Sequence, residues 1–378
     1  MPPGAVGAGW HGGPVLTDRA LNRATLARQW LLERRTASPL EAVEWLVGLQ
    51  AQEPPDPYLA LWSRLDPFDP HELGGLLRSR HVVRLAVMRG TIHLLTTGDA
   101  ATVRPLVQPV LDAEARRHPD VRQVSPDRID AGLVLGRRLL DEQPRSMAEL
   151  RTAFAEAMPD DHAPGLAYAC RTYLPLVQVP PRGVWGERGG VRLAHLETWG
   201  GRPVDDEPSL DDTSLDDLVL RYLAAFGPAT TADVAAWSRL TGLRAVLDRL
   251  RPRLRVHRDE RGRVLFDVPD GPLPAEDMPA PVRFLPEYDN ALLSHQDRSR
   301  FFVGDERRHL GAHETHIKGT VLHDGFVCGT WRWDDDDLVV SHVPRLTRPA
   351  VADICAEGSR VLAFHDRGGE VRAEALPD

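Results

Sequence analysis

Cysteine is scarce: Cys170, Cys328 and Cys355 are the three in 378 residues, far apart and without CxxC spacing. That pattern excludes a disulfide framework or a thiolate metal site and leaves reduced structural thiols. No apolar run approaches the ~20 residues that cross a bilayer, so a membrane-spanning protein is excluded. The start, MPPGAVGAGWHGG, has neither the basic cluster nor the apolar stretch of a secretory signal. Its glycines and prolines predict a loose tail and a cytoplasmic protein. Positive charge is short as well, and a net charge of -9 argues against a general polyanion binder. The shortage is uneven, however. Arg78, Arg80, Arg84 and Arg89 gather in one stretch and Arg249, Arg251, Arg253, Arg255 and Arg258 in another, while acids gather at Asp205 to Asp217 and Asp334 to Asp337. An acidic total can therefore hide a basic cleft.

What is present is the composition of a globular protein, 42% hydrophobic and 27% charged, at a length that predicts two or three units packed into one body. Ala20, Ala24, Ala27 and Leu31 recur at helical spacing and predict a helix from Asp18 to Arg35. Ser38 and Pro39 open a second helix striped by Leu40, Val43 and Val47, and Asp69 with Pro70 opens a third running to about Arg80. Val83, Leu85 and Val87 then alternate before a turn at Gly90 and a strand from Thr91 to Leu95. Three helices followed by a two-stranded ribbon is the order of a winged helix. The order returns between Leu215 and Val268, and helical segments at Asp99 to His118, Asp127 to Asp141 and Ser146 to Ala157 fit a middle unit. Beyond Val282 the pattern is strand-like, with Asp324 and Gly325 as a hairpin turn.

The expected organisation is a tail over 1–14, winged-helix units over 15–97, 98–205 and 206–270, and a β-rich unit over 271–378. Gln50 continues the stripe of the second helix if that helix extends so far. If the chain leaves the helix ahead of Pro54, extended backbone places Gln50 and Gln52 on one side, and two amides converge. From composition alone the same residues read as ordinary helix-end glutamines bonded to nearby backbone, and spacing alone does not establish catalysis.

Seven stretches carry a family resemblance: LTDRALNRATLARQ, PLEAVEWLVGLQAQEPPDPYLALWSRL, RLAVMRGTIHLLT, LVQVPPRGVWG, FGPATTADVAAWSRLT, FLPEYDNALLSHQDRSR and GTVLHDGFVCGTWRW. Together they resemble the AlkZ-type family of bacterial winged-helix DNA glycosylases over nearly the whole chain. The resemblance implies an α+β fold, with three tandem winged helices in a C-shaped body and a C-terminal barrel-like β unit. It also implies an active site at a Gln-apolar-Gln motif, here Gln50, Ala51 and Gln52. A purine alkylated at N7 is already cationic and leaves without an added proton, so two amides that hold water and face the developing sugar cation suffice. The implied activity is monofunctional hydrolysis of N7-alkylated purines in double-stranded DNA, including bulky antibiotic adducts and interstrand crosslinks. Gln50 would position water and Gln52 share water or sugar contacts, with no metal, no cofactor and no lyase lysine, in a monomer.

Arg89, Thr91 and His93, on one strand face, are expected beside the lesion as phosphate or water contacts. The stiff turn at Pro180 and Pro181 offers Arg182 and Trp185 to DNA, though Trp185 reads equally as a core residue. Asp289, Asn290, His295, Asp297 and Arg298 suit internal hydrogen bonds, with some facing the cleft, and Arg298 is taken as a DNA contact. His309, His313 and His316 lack the HExxH framework of a zinc site and read as a polar loop. The rival to catalysis is a winged-helix transcriptional regulator that binds duplex DNA without releasing a base.

Overall fold

A computed structural model describes residues 15–201, 212–303 and 318–377. The expected tail, the boundary between 205 and 206, and His309, His313 and His316 lie outside the described residues. Within them the fold is mixed α+β, with three sheets joined by helices. No helix among the described residues is long and apolar enough to cross a membrane.

The first helix, Asp18–Arg28, is capped by the Thr17 hydroxyl, which accepts from Ala20 N. It stops seven residues short of the expected Arg35, because Trp30 takes a left-handed φ of 56° and the amides of Leu31 and Leu32 turn back to Leu26 O. Its polar residues are buried and paired across the molecule. Arg28 meets both oxygens of Asp267 at 2.5 and 2.9 Å, and Asn22 Nδ2 donates to Arg300 O and Gly325 O. Removing one partner from a charge pair this deep is strongly destabilising. Two helices, Pro39–Trp45 and Pro70–Arg78, start where their caps predict, at Ser38 in a box with Glu41 and at Asp69.

Strand β1 (Val15–Leu16) runs parallel to β7 (Arg255–Asp259), which pairs with β8 (Val264–Asp267). This ribbon follows helices Asp212–Phe226, Thr231–Ser238 and Leu243–Leu250, the order expected between Leu215 and Val268. A five-stranded sheet runs β2 (Leu49–Gln50), β4 (Ile92–Thr96), β3 (Val82–Ala86), β5 (Leu176–Gln178) and β6 (Leu193–His195). The first ribbon and the strands of the middle region are thus one sheet, and hydrogen bonds cross the division expected after residue 97.

The C-terminal strands are β9 (Arg283–Leu285), β10 (Gly319–His323), β11 (Phe326–Asp334), β12 (Asp337–His342) and β13 (Val371–Ala375). They form an open sheet in the order β13, β12, β11, β10, β9, so the expected barrel-like closure is not present. Its edges do not pair with each other: β9 lies at one side and at the other lies β13. It runs parallel to β12, so the chain must cross over through the helix Arg348–Phe364, whose Ala350, Ile354, Val361 and Leu362 are buried beside the sheet. The hairpin at Asp324 and Gly325 is as expected, both residues holding positive φ.

Candidate active site and DNA-facing residues

The Gln50 segment is strand, not helix. The helix Pro39–Trp45 ends, and Val47 and Gly48 take φ of 53° and 88° to turn the chain onto β4. A Cβ at position 48 would stand 2.9 Å from Leu94 O, so only glycine lets β2 approach so closely. Asn290 Nδ2 donates to Gly48 O at 3.0 Å and pins the turn. Gln50 then pairs opposite His93, and Ala51 N donates to Ile92 O at 2.8 Å. Ala51 is fully buried, Gln50 is buried at 6% exposure and Gln52 is exposed, its Oε1 accepting from Ile92 N at 3.4 Å.

Arg89 lies outside the strand, contrary to the one-face expectation for Arg89, Thr91 and His93. It sits in the connecting turn at φ 59°, and its half-buried side chain turns inward. Nη2 donates to Gln50 Oε1 at 2.6 Å and Nη1 to Trp237 O at 2.9 Å. A guanidinium only donates, so the Gln50 oxygen must face it. The next residue, Gly90, has φ 72°, and a Cβ there would meet Glu114 Oε2 at 2.5 Å. Burial, with Arg239 and Arg298 close by, lowers the Arg89 pKa to about 10, so it stays charged at neutral pH.

His93 is completely buried, and its expected DNA contact gives way to a structural role. Nδ1 lies 3.0 Å from Thr91 O and must carry the proton, which leaves the Nε2 lone pair toward Arg89 Nη2 at 3.3 Å. Burial, then the Arg89 charge, lowers its pKa to about 3, so the ring is neutral. Thr91 is half-buried, with its hydroxyl donating to Met88 O at 3.1 Å.

Elsewhere the expected residues divide. Trp185 packs among Tyr58, Phe364 and His365, with ring centroids 4.9, 5.2 and 5.5 Å away, so the core reading replaces the stacking one. Arg182 is half-buried and reaches Gly189 O at 3.5 Å, and Arg298 is half-buried within electrostatic reach of Arg89. Asp289 holds Arg64 through both oxygens at 2.7 and 2.9 Å, and His295 Nε2 meets Phe226 O at 3.0 Å, both internal roles.

Three residues were not singled out from sequence. Arg239 is exposed at the end of the helix Thr231–Ser238 and, with Arg89 and Arg117, rims a groove of 770 Å³ walled by Val110, Leu215 and Leu240. Arg84 is fully buried and donates from Nη2 to Ala51 O at 2.7 Å. Asp56, four residues beyond Gln52, is 6% exposed and its Oδ2 has no hydrogen-bond partner. Burial first, then the charges of Glu287 and Glu53, raise its pKa to about 8, so this carboxyl is protonated at neutral pH. A glutamate-proline run before a helix gave only the weak signal of a helix start. Among the described residues no group of three or more His, Cys, Asp or Glu side chains is arranged to hold a metal ion.

No curated protein sequence matches the chain. A solved structure, Streptomyces sahachiroi DNA glycosylase AlkZ, is similar in fold, with TM-score 0.77 and 20% identity over 96% of this chain and 100% of that one. The profile of the family described as DNA glycosylase AlkZ-like matches residues 43–364, a span that contains Gln50, Gln52, Arg89 and the C-terminal sheet as far as β12. The chain therefore belongs to the AlkZ-like family and is a DNA glycosylase, an enzyme whose partner is DNA.

Proposed function

We propose that this enzyme hydrolyses the N-glycosidic bond of N7-alkylated purines, with Gln52 as the water-holding amide and Gln50 as a fixed dipole beside the sugar. The observation that carries the reading is the 2.6 Å bond from Arg89 to Gln50 Oε1, next to the exposed Gln52. An oxygen already bonded to a guanidinium is a poorer acceptor for water, so the freer amide takes that task. The division of labour is then the reverse of the one expected from sequence.

Cleavage is dissociative. The C1′–N9 bond breaks, its electron pair neutralises the cationic purine, and water adds to C1′ and loses its proton to solvent. Two neutral amides suffice because no proton has to reach the leaving base. Arg239, Arg298, Arg182 and Thr91 lie in this reading along the DNA phosphates, while Arg89, expected there too, is engaged with Gln50 and Trp237 O. The groove beside Arg89, with apolar walls, has room for a bulky N7 substituent or the second strand of a crosslink. The helix-and-ribbon units act as tandem winged helices curved into a C-shaped monomer around the duplex. Removal of antibiotic adducts, and with it self-resistance, is the biological setting that the family resemblance implies for this reading.

The test is single-turnover release of free base from a duplex carrying one N7-methylguanine, with abasic sites counted in parallel. Gln52→Ala loses roughly a hundredfold in rate, the scale of one lost transition-state hydrogen bond, and Gln50→Ala loses about tenfold. Equal release by wild type and both variants removes the assignment.

A further inference from the structure

We infer that Arg84 is a positioning residue, holding the glutamine motif in register from beneath through the Ala51 carbonyl. The inference rests on the glutamine reading of the active site.

Arg84 is among the largest fully buried side chains of the protein. Arg23, Arg28 and Arg64 are buried to the same degree, and each meets an aspartate, Asp324, Asp267 and Asp289, at 2.5 to 2.7 Å. Arg84 has no such partner. Its Nε and Nη1 make no hydrogen bond, its one bond runs from Nη2 to Ala51 O, and the acids within its electrostatic reach are Glu53 and Asp56. Asp56 is protonated at neutral pH and gives it little compensation.

A buried guanidinium without a counter-charge is costly, and an apolar side chain of similar volume often packs there at no loss of stability. Stability therefore does not explain the residue, whereas its single bond does. Ala51 is held on one side by its amide to Ile92 O and on the other by Arg84 at its carbonyl. Fixing the peptide between Gln50 and Gln52 fixes the stems of both amides. The cradle is rigid: Gly183, at φ 89°, lies so close that a Cβ there would stand 2.8 Å from Arg84 Cδ. Tyr58 Oη donates to Gly183 O at 2.7 Å and locks that turn. Across the sheet Arg84 pairs with Gln178, whose buried Oε1 makes no hydrogen bond, so the guanidinium is held at Ala51 O and not there.

The experiment measures kcat and KM for N7-methylguanine release by wild type, Arg84→Met, Arg84→Lys, Gln50→Ala and Gln52→Ala, each checked for folding by circular dichroism. Misplacement of a reacting group by about 1 Å costs up to about a hundredfold, so kcat of Arg84→Met falls by at least about tenfold. KM stays at the wild-type value because the DNA contacts are elsewhere. Arg84→Lys, which keeps a charged donor without the planar fork, falls between the two. If the methionine variant does not fold, the lysine variant decides on the same criteria, a lowered kcat at unchanged KM. Wild-type kcat in the folded Arg84 variants, with the glutamine variants impaired, overturns the positioning role and leaves the glutamine assignment standing. Full activity in both glutamine variants overturns the glutamine assignment and this inference together.

Discussion

Asp56 offers a prediction that can be worked through in numbers. Its pKa rises from an ordinary 3.8 to about 8 on folding, mainly through burial and then through Glu287 and Glu53. Between those values the folded protein binds one more proton than the unfolded chain, so stability falls as pH rises. The contribution is complete below pH 3.8, declines by about 1.4 kcal/mol per pH unit, and is lost as pH passes about 8. From pH 5 to pH 7 the loss amounts to about 3 kcal/mol, a sizeable part of the net stability of a folded protein. Asp56→Asn removes the titrating proton and keeps the shape. In urea unfolding at pH 5, 6, 7 and 8, the variant gains on wild type by about that amount between pH 5 and 7, and the gap stops widening near pH 8. Parallel curves with a constant offset across the series would refute the reasoning, since a group that titrates normally gives no such slope.

Two further outcomes follow from the ion pairs and the arginine rim. Asp267→Ala strands the Arg28 guanidinium, which is wholly buried and bonded to both carboxylate oxygens, and lowers stability by about 3 to 5 kcal/mol in urea unfolding. Arg239→Ala weakens binding to damaged and undamaged duplex alike, and the slope of log affinity against log salt becomes shallower by about one, measured by fluorescence anisotropy. A variant with an unchanged slope places Arg239 off the phosphates.

Much of the fold was legible wherever local chemistry decides it. Ser38 with Glu41, Asp69 before Pro70, Thr230 with Asp233, and the Asp324–Gly325 turn each announce an element boundary through a side chain or a permitted φ. The end of the first helix was not legible, because its apolar spacing continues past Arg28 to Leu31 while the break lies in the left-handed φ of Trp30. The helix Ala163–Tyr173 was not among the expected helical segments of the middle region. The extended alternative for Gln50 was readable from Pro54, and the strand is what forms. The fate of Arg89 was not, because its partners include Trp237 O, 148 residues along the chain, and a left-handed turn that sequence gives no reason to expect of arginine. The burial of Asp56 escaped for the same reason: Glu287 and Asp289, which face it, belong to the other end of the protein.

The pairing of the first helix has a consequence for the order in which the protein folds. Asn22 and Arg23 find their acceptors at Asp324 and Gly325, and Arg28 finds its carboxylate at Asp267, so this one helix closes contacts 303, 301 and 239 residues apart. Contacts of such separation form late, because loop closure costs entropy before the pairing repays it.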